Sequence, residues 1–216
     1  MNNKILTYLV LIFASFFFSC RGPVKQENKS TASATSIFSR SGNEKIFVID
    51  TKESQVTWKG SMLFGSNSHS GYIYISKGEL MMENGQLMGG TVEVDMNTIE
   101  DKVHGRNNGL VNHLKDPDFF DVKKFPFSTI VITGASSISA GDKEISGNLT
   151  IKGITHPVSF PAKVELQGET FKGEGKLVID RTKWDVRYNS GKFFDDLKDN
   201  AIADDIEFDI KIVAKK

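Results

Sequence analysis

Cysteine is almost absent from this chain, since Cys20 is the single one among 216 residues. An intrachain disulfide is therefore excluded, and so is a metal site in the body of the protein that uses cysteine ligands. An excess of either charge is missing too, because 27 basic side chains are balanced by 27 acidic ones. This balance does not favour nucleic acid or an anionic surface as a partner.

Motifs of common enzymes and metal sites are also missing. The chain has neither the Gly-x-Ser-x-Gly pattern of serine hydrolases nor the Gly-x-x-x-x-Gly-Lys-Ser/Thr phosphate loop. The acid pairs at residues 195–196 and 204–205 lack the spacing of an EF-hand. The histidines are widely separated and form no His-x-x-x-His pair. They are His69, His104, His113 and His156. We therefore expect no metal ion and no cofactor.

Residues 1–19 have the layout of a secretory signal peptide, with Lys4 before an apolar run that ends at Phe18. The run is shorter than the roughly 20 residues that span a bilayer. Cys20 follows at once, which resembles the bacterial lipoprotein signal, although Phe17 replaces the leucine usual at that position. We predict lipidation of Cys20. The alternatives are an ordinary secreted protein with a leftover thiol and an uncleaved anchor.

The segment from Cys20 to residue 44 is rich in Ser, Thr, Ala and Lys and has little to bury, which predicts a disordered tether. A flexible coil of this length has a root-mean-square span of roughly 27 Å. From residue 45 to residue 216 the chain has the composition of one globular domain. Together with lipidation of Cys20, the predicted tether and domain imply a globular domain tethered to a membrane surface.

Short segments of alternating apolar and polar residues dominate the domain and predict β-strands. Asn84-Gly85 supplies the positive φ angles of a hairpin turn, and Gly89-Gly90 predicts a bulge. A turn is expected at residues 155–157, and the last strand at Ile206–Ile212, with its isoleucines and Phe208 facing inward. Eight or more antiparallel strands at short spacing indicate an all-β barrel or sandwich.

The segment from Leu110 to Pro126 breaks this pattern. Leu110 and Leu114 are at helical spacing, residue 107 or 108 offers an asparagine cap, and Asp116-Pro117 ends the helix. Neighbouring Phe119 and Phe120 would face opposite sides of a strand, whereas a loop folded over a barrel end can bury both. We therefore predict a short helix and lid. The simpler alternative is that this segment only closes the core.

The order of four motifs resembles the YceI-like family. These are residues 48–58 (Val-Ile-Asp to Val-Thr-Trp), 113–126 (His-Leu-Lys-Asp-Pro-Asp-Phe-Phe to Phe-Pro), 147–158 (Gly-Asn-Leu-Thr-Ile-Lys-Gly to His-Pro-Val) and 180–184 (Asp-Arg-Thr-Lys-Trp). The resemblance implies an antiparallel lipocalin-like β-barrel over residues 45–216 with a short helix or lid. It also implies non-covalent binding, storage or transport of a polyisoprenoid lipid or prenyl quinone in the bacterial cell envelope, by a monomer or homodimer, without enzymatic chemistry.

Strand phase and proximity to these motifs select the aromatic residues that we expect to line the pocket. They are Trp58, Phe64, Phe119, Phe120, Phe160, Trp184, Tyr188 and Phe194. Packing in the core is the alternative for each. Arg181 and His113 are candidates for contact with a lipid headgroup, although an ion pair and a helix-end contact are the more ordinary roles.

Two other functions stay open at this point. A barrel filled by its own side chains would serve protein interaction instead. An enzyme would need titratable groups that converge in the cavity, and Asp180, Arg181 and His113 are the candidates.

Overall fold

A computed structural model describes residues 43–64, 67–139 and 141–216. Within these residues the strands and the single α-helix are β1 (Lys45–Ile49), β2 (Gln55–Met62), β3 (Ser68–Glu83), β4 (Gln86–Asp101), α1 (Gly109–Lys115), β5 (Phe127–Ser139), β6 (Asp142–Ile151), β7 (Ile154–Gln167), β8 (Thr170–Asp180) and β9 (Ile202–Lys215). Short 3₁₀ helices occupy Arg181–Trp184 and Lys198–Asn200. The predicted signal peptide, Cys20 and the tether up to residue 42 lie outside the described residues.

The strands close into an antiparallel barrel because neighbours pair all the way around the ring. Seven long strands, β3 to β9, each occupy one place, and β1 and β2 together occupy the eighth, between β3 and β9. β1 pairs with residues 79–82 of β3, and β2 pairs with residues 68–73 of the same strand. The prediction of an all-β antiparallel barrel of about eight strands with a short helix is confirmed.

The inward-facing side chains of the strands are apolar, as the alternating pattern requires. Ile206, Phe208, Ile210 and Ile212 of β9 all point toward the lumen, so the predicted phase of the last strand is confirmed. Their outward neighbours include Glu207 and Asp209. On the adjacent strand β8, Lys176 pairs with Asp209 in the sheet and forms an ion pair with Glu207. Burial of these apolar side chains is the dominant stabilising contribution, at about 1.5–3 kcal/mol for each fully buried large side chain.

Tight hairpins join neighbouring strands at both ends of the barrel. At the end opposite the lid lies the predicted Asn84-Gly85 turn, where φ is 51° and 77°. The expected bulge near Gly89 is present as a register shift. The expected turn at residues 155–157 is wrong, because Lys152 and Gly153 make the turn with φ of 50° and 73°, and β7 begins at Ile154.

The lid closes the other end, and its helix has the predicted boundaries. Asn108 is the cap, because its side chain accepts a hydrogen bond from Val111 N at 3.0 Å. The backbone N–H of Asp116 donates to the carbonyl of His113 as the helix ends. Val111 is fully buried, which holds α1 against the barrel. In the described part of the chain no helix is both long and apolar enough to cross a membrane.

Candidate functional site

An apolar cavity of about 270 Å³ lies inside the barrel. Most of its wall consists of aliphatic side chains from all the long strands, together with four of the aromatic residues that the sequence selected. These four are Trp58, Phe119, Phe120 and Phe160. The volume is close to the lower limit of about 300 Å³ for small-molecule pockets. The barrel core is therefore not packed solid.

The lid forms one boundary of the cavity. Leu110 and Leu114 of α1 contribute to its wall, as do Phe119 and Phe120 just after the helix. Phe119 is buried and Phe120 is half-buried, and their ring centroids are 6.0 Å apart. Residues 116–121 form turns rather than a strand, and both rings belong to the cavity wall. This confirms the predicted arrangement of the lid.

Two glycines of β8 make room in the wall. Gly173 and Gly175 both line the cavity, and their neighbours are aromatic rings. A β-carbon on Gly173 would lie 3.1 Å from Phe171 Cε1, and one on Gly175 would lie 3.1 Å from Phe160 Cε2. Larger residues at these two positions would push the rings into the lumen. The glycines therefore keep the cavity open.

Trp58 carries an unusual polar group in this wall. The residue is buried, yet among the described residues its indole Nε1 has no hydrogen-bond partner. A buried donor without an acceptor costs about 1–3 kcal/mol relative to its hydration in the unfolded chain. An apolar residue here would fill the space without that cost. The donor is thus available to an acceptor that is not part of the described chain.

Trp184 and Tyr188 lie outside the cavity wall, so the prediction that they line the pocket is corrected. Trp184 is buried in the 3₁₀ helix after β8, where its Nε1 donates to the carbonyl oxygen of Leu149 at 3.1 Å. Its ring meets the ring of His156 edge-on. The tight turn after β8 directs this side chain toward the strand ends instead of the lumen, and its role is packing.

Tyr188 instead packs against two residues of the lid segment. Its ring lies 5.5 Å from Phe119 and 4.4 Å from His113, centroid to centroid. His113 Nε2 is 3.1 Å from Asp118 Oδ2. This cluster joins α1 to the segment that follows β8. His113 therefore makes a contact at the end of α1, and its role in headgroup binding stays a prediction.

Arg181 is almost completely buried behind the same cluster. Its guanidinium donates to the carbonyl oxygens of Val186, Ala203 and Ile202 at 2.8, 3.0 and 3.2 Å, and it lies 5.9 Å from the centroid of Phe119. Burial lowers its pKa, while the nearby carboxylate of Asp204 opposes that effect. Arg181 ties the start of β9 to the segment after β8, and it lies outside the cavity wall.

Phe64 and Phe194 do not line the cavity either. Both are exposed, at 62% and 48% of their surface, and both belong to loops outside the barrel wall. The sequence pattern gave no reason to separate them from inward-facing phenylalanines, because both follow strand-like or motif segments. Their prediction as lining residues is corrected by this placement in loops.

Sequence reasoning did not find a polar cluster at the start of the lid. Asp101, almost fully buried, accepts hydrogen bonds from the backbone N–H groups of Val103 and His104 and from His104 Nδ1. His69 Nδ1 lies 3.9 Å from its other oxygen. Burial alone would raise the pKa of Asp101, but these hydrogen bonds outweigh it, and the net pKa is lowered. The sequence signal is an Asx-turn pattern, Asp-x-x-His at residues 101–104, in the segment that leads to the helix cap at Asn108.

The three candidate catalytic groups do not meet in the lumen. Asp180 caps the 3₁₀ helix through Thr182 and binds Lys192 at 2.7 Å, whereas Arg181 and His113 have the partners described above. None of these three belongs to the cavity wall among the described residues. The arrangement that an enzymatic hypothesis required is therefore not found in this part of the chain.

Comparison with known proteins identifies the family of the domain. A family model described as the YceI-like domain matches residues 47–214. A UPF0312 protein of Shewanella denitrificans is 29% identical over 133 residues, which are 59% of this chain and 66% of that protein. The match thus spans slightly less than two thirds of the relative's own length.

Solved structures have the same barrel. The structure of Burkholderia cenocepacia BcnA aligns with a TM-score of 0.61 and 20% identity, covering 77% of this chain and 99% of BcnA. A polyisoprenoid binding domain from Saccharophagus degradans, implicated in plant cell wall breakdown, aligns with a TM-score of 0.59 and 10% identity, covering 78% and 97%. The family match over most of the chain, together with this shared barrel, establishes that the chain belongs to the YceI-like domain family.

Proposed function

We propose that this protein binds a polyisoprenoid lipid or a prenyl quinone in its barrel, without covalent chemistry, and stores or carries it in the bacterial cell envelope. The apolar cavity under a lid is the observation that carries the proposal. A structural relative named as a polyisoprenoid binding domain supports the same ligand class. The alternative of a barrel filled by its own side chains does not agree with a cavity of about 270 Å³.

The size of the cavity limits how such a ligand is held. A volume of about 270 Å³ is at the lower end of the range for drug-sized ligands. An isoprenoid chain of forty carbons occupies more volume than this cavity offers. It would therefore displace aliphatic side chains or leave one of its ends at the lid. Met62 and Met96 lie in the wall, and unbranched methionine side chains adapt to such changes at low cost.

The energetics favour exchange with a membrane over permanent capture. Moving a forty-carbon chain out of water is worth about 30 kcal/mol, at ~0.8 kcal/mol per carbon. Since measured affinities end at about 18–21 kcal/mol, water is not the relevant alternative for this ligand. A bilayer solvates the chain almost as well as the cavity. Net transfer is then close to neutral, which suits a carrier or store.

Trp58 favours a ligand that has a neutral acceptor oxygen near its chain. Its buried Nε1 has no acceptor in the described structure. A quinone carbonyl would supply one once side chains move to admit the ligand. A bare hydrocarbon would leave this N–H without a partner. This difference supports prenyl quinones within the broader ligand class.

Membrane attachment through Cys20 is part of the same proposal. The apolar segment before Cys20 and the polar segment after it favour a lipidated protein on the periplasmic face or the outer membrane. Metabolic labelling of cells with a radioactive fatty acid tests the attachment. Label is expected in the wild-type protein and absent from Cys20→Ser, and equal labelling of both would contradict lipidation at this residue.

Native mass spectrometry of the full chain purified from its own membranes tests the proposed ligand. We expect a bound species that organic extraction releases and that fragments as an isoprenoid or prenyl quinone. A polypeptide recovered at its bare mass from lipid-rich cells would argue against lipid carriage. A bound fatty acid or phospholipid would keep the carrier role and change the ligand class.

A further inference from the structure

Four large apolar side chains are exposed beside the lid. They are Leu63, Phe64, Phe193 and Phe194, with exposed fractions of 45–62%, and we call them the mouth patch. Leu63 and Phe64 follow β2, and Phe193 and Phe194 lie in the long segment between β8 and β9. Exposed phenylalanines are uncommon on a soluble surface, and a group of them marks a surface that meets another apolar phase.

The two loops leave the barrel side by side. Leu63 N donates to the carbonyl oxygen of Ala201 at 2.8 Å, and Met62 pairs with Ile202 in the sheet. Ile202 N donates to the carbonyl oxygen of Asn189 at 2.8 Å, which closes the base of the second loop. Met62 and Ile202 also belong to the cavity wall. The mouth patch therefore lies at the same end of the cavity as Met62 and Ile202.

The other end of the barrel has a different surface. Its described turn residues are polar or glycine: residues 84–85 between β3 and β4, Gly141 between β5 and β6, and residues 168–169 between β7 and β8. The remaining exposed phenylalanine of the described chain, Phe127, begins β5 and lies nearer the lid than these hairpins. Aromatic exposure thus distinguishes the two ends of the barrel.

We propose that the mouth patch docks on the surface of a lipid bilayer, so that the cavity opens against the membrane that supplies its ligand. Aromatic side chains favour the interface between headgroups and acyl chains. With the patch inserted there, an isoprenoid chain passes between bilayer and cavity without crossing water. The role of docking in ligand exchange rests on the proposed function. The docking itself is measured independently of any bound ligand.

The charge around the patch indicates which membranes it suits. Between residues 185 and 200 there are three basic side chains, Arg187, Lys192 and Lys198, and four acidic ones, at positions 185, 195, 196 and 199. Lys192 is already paired with Asp180 and Asp204. Arg187 lies over the ring of Phe193. With no basic excess, docking depends on apolar insertion and should persist in high salt and without anionic lipid.

The length of chain before the barrel permits this orientation. β1 starts at Lys45, which pairs with Met82 next to the polar hairpin, so the chain enters at the end opposite the mouth patch. The longest strands, β3 and β4, have 16 residues each and extend for about 54 Å at ~3.4 Å per residue. Residues 21–44 can extend to about 80 Å. An anchor at Cys20 therefore leaves enough chain for the mouth to face the membrane.

Depth-dependent fluorescence quenching on the full chain tests the proposal. A fluorophore is attached to Asn67→Cys, beside the patch, or to Glu169→Cys, at the polar end. The protein is reconstituted in phosphatidylcholine vesicles that contain nitroxide-labelled lipids. The chain without an introduced cysteine gives the background from Cys20. We expect quenching at position 67 to exceed that at position 169 at least threefold, and to persist in 0.5 M salt.

A triple variant and a matched control test the side chains themselves. Phe64→Ser, Phe193→Ser and Phe194→Ser together should remove the excess quenching at position 67 and leave the melting temperature nearly unchanged, because these side chains are exposed. Val48→Ser, Ile138→Ser and Val178→Ser, three exposed apolar residues elsewhere, should retain it. Equal quenching at both positions, or quenching that survives the triple serine variant, would overturn the proposal.

Two further outcomes are separable. A label at position 67 that is protected from iodide but not quenched by nitroxide lipids, with a dimer that the triple variant dissociates, would assign the patch to a second copy of this chain and overturn docking. Bound lipid found by mass spectrometry without quenching would reject docking and spare the lipid-binding proposal. Quenching without any bound lipid would reject the lipid-binding proposal alone.

Discussion

The indole ring of Trp58 covers Gly71, its partner across β2 and β3, so closely that a β-carbon on Gly71 would lie 2.8 Å from Trp58 Cζ2. The same β-carbon would overlap the carbonyl oxygen of Glu100. The absence of a side chain at Gly71 lets β3 approach β4 and leaves room for the indole ring. This contact joins three strands at the lid end of the cavity.

Gly71→Ala is therefore expected to destabilise the barrel by about 1–3 kcal/mol, because the backbone as well as the indole must shift. Gly60→Ala, on β2, is the matched control, since a β-carbon there meets nothing within 4 Å. Urea unfolding followed by tryptophan fluorescence measures both. A stability loss in the Gly60 variant as large as that in the Gly71 variant would mean that strand entropy, and not the close approach, decides the effect.

The two tryptophans make a second matched pair. Trp184 Nε1 donates to Leu149 O, whereas Trp58 Nε1 has no partner among the described residues. Trp184→Phe loses a hydrogen bond and Trp58→Phe does not, so the former should cost about 1 kcal/mol more in unfolding free energy. Thermal unfolding of the lipid-free full chain compares them. The reverse order would show that Trp58 has an acceptor, such as an ordered water.

Filling the cavity should abolish ligand binding while leaving the fold intact. Ala162 lines the cavity on β7 opposite Gly175, and Ala162→Phe places a ring in the lumen. We expect at least a tenfold loss of co-purified lipid by native mass spectrometry. Lys163→Phe, the outward-facing neighbour, is the control and should keep the wild-type occupancy. Full occupancy in the Ala162 variant would move the binding site out of the barrel.

Asp101 should make the stability of the lid end depend on pH in the acidic range. Its folded-state pKa is lowered, so its hydrogen bonds stabilise the protein above the unfolded-state value of ~3.9 and this contribution is lost as the pH falls through the folded-state pKa. Asp101→Asn is expected to cost about 1–3 kcal/mol at pH 7. The difference from wild type should shrink steadily below pH 4.

Urea unfolding between pH 2.5 and pH 7 measures this dependence. His104 and His69 lie against Asp101, and both are more than half exposed, so solvent screens their interaction with the carboxylate. Asp195→Asn, in an exposed loop, is the control and should leave the curve unchanged. A difference between Asp101→Asn and wild type that stays constant down to pH 2.5 would contradict the assigned role of the carboxylate.

Local sequence chemistry predicted several elements correctly, and the reason lies in short-range interactions. The cap at Asn108, the end of α1 at Asp116 and the turn at Asn84-Gly85 depend on side-chain and backbone contacts within four residues. The turn at Lys152-Gly153 was misplaced because His156-Pro157 has turn composition. In the barrel, Pro157 lies within β7 and pairs with Asn148 of β6, and the His156 ring is 2.9 Å from the carbonyl oxygen of Lys183.

The candidate site was predicted in part, because strand phase is a local property that applies to strands and not to loops. Strand phase placed Trp58 and Phe160 inward, and the lid argument placed Phe119 and Phe120 over the cavity. Phase has no meaning in a loop, so it could not separate Phe64 from these residues. The aliphatic wall, with Ile132 and Ile145 among its members, was overlooked because the choice favoured aromatic side chains.

The sequence by itself determined the all-β class, the inward face of each strand and the position of the lid, because alternation and capping are local properties of the chain. Only the tertiary structure decided that β1 and β2 share one place in the ring, that the closed barrel keeps a cavity, and that Arg181 is buried against three carbonyls. Those features depend on contacts between residues distant in the chain. Ring closure and packing volume are sums over all strands, and no single stretch of sequence contains them.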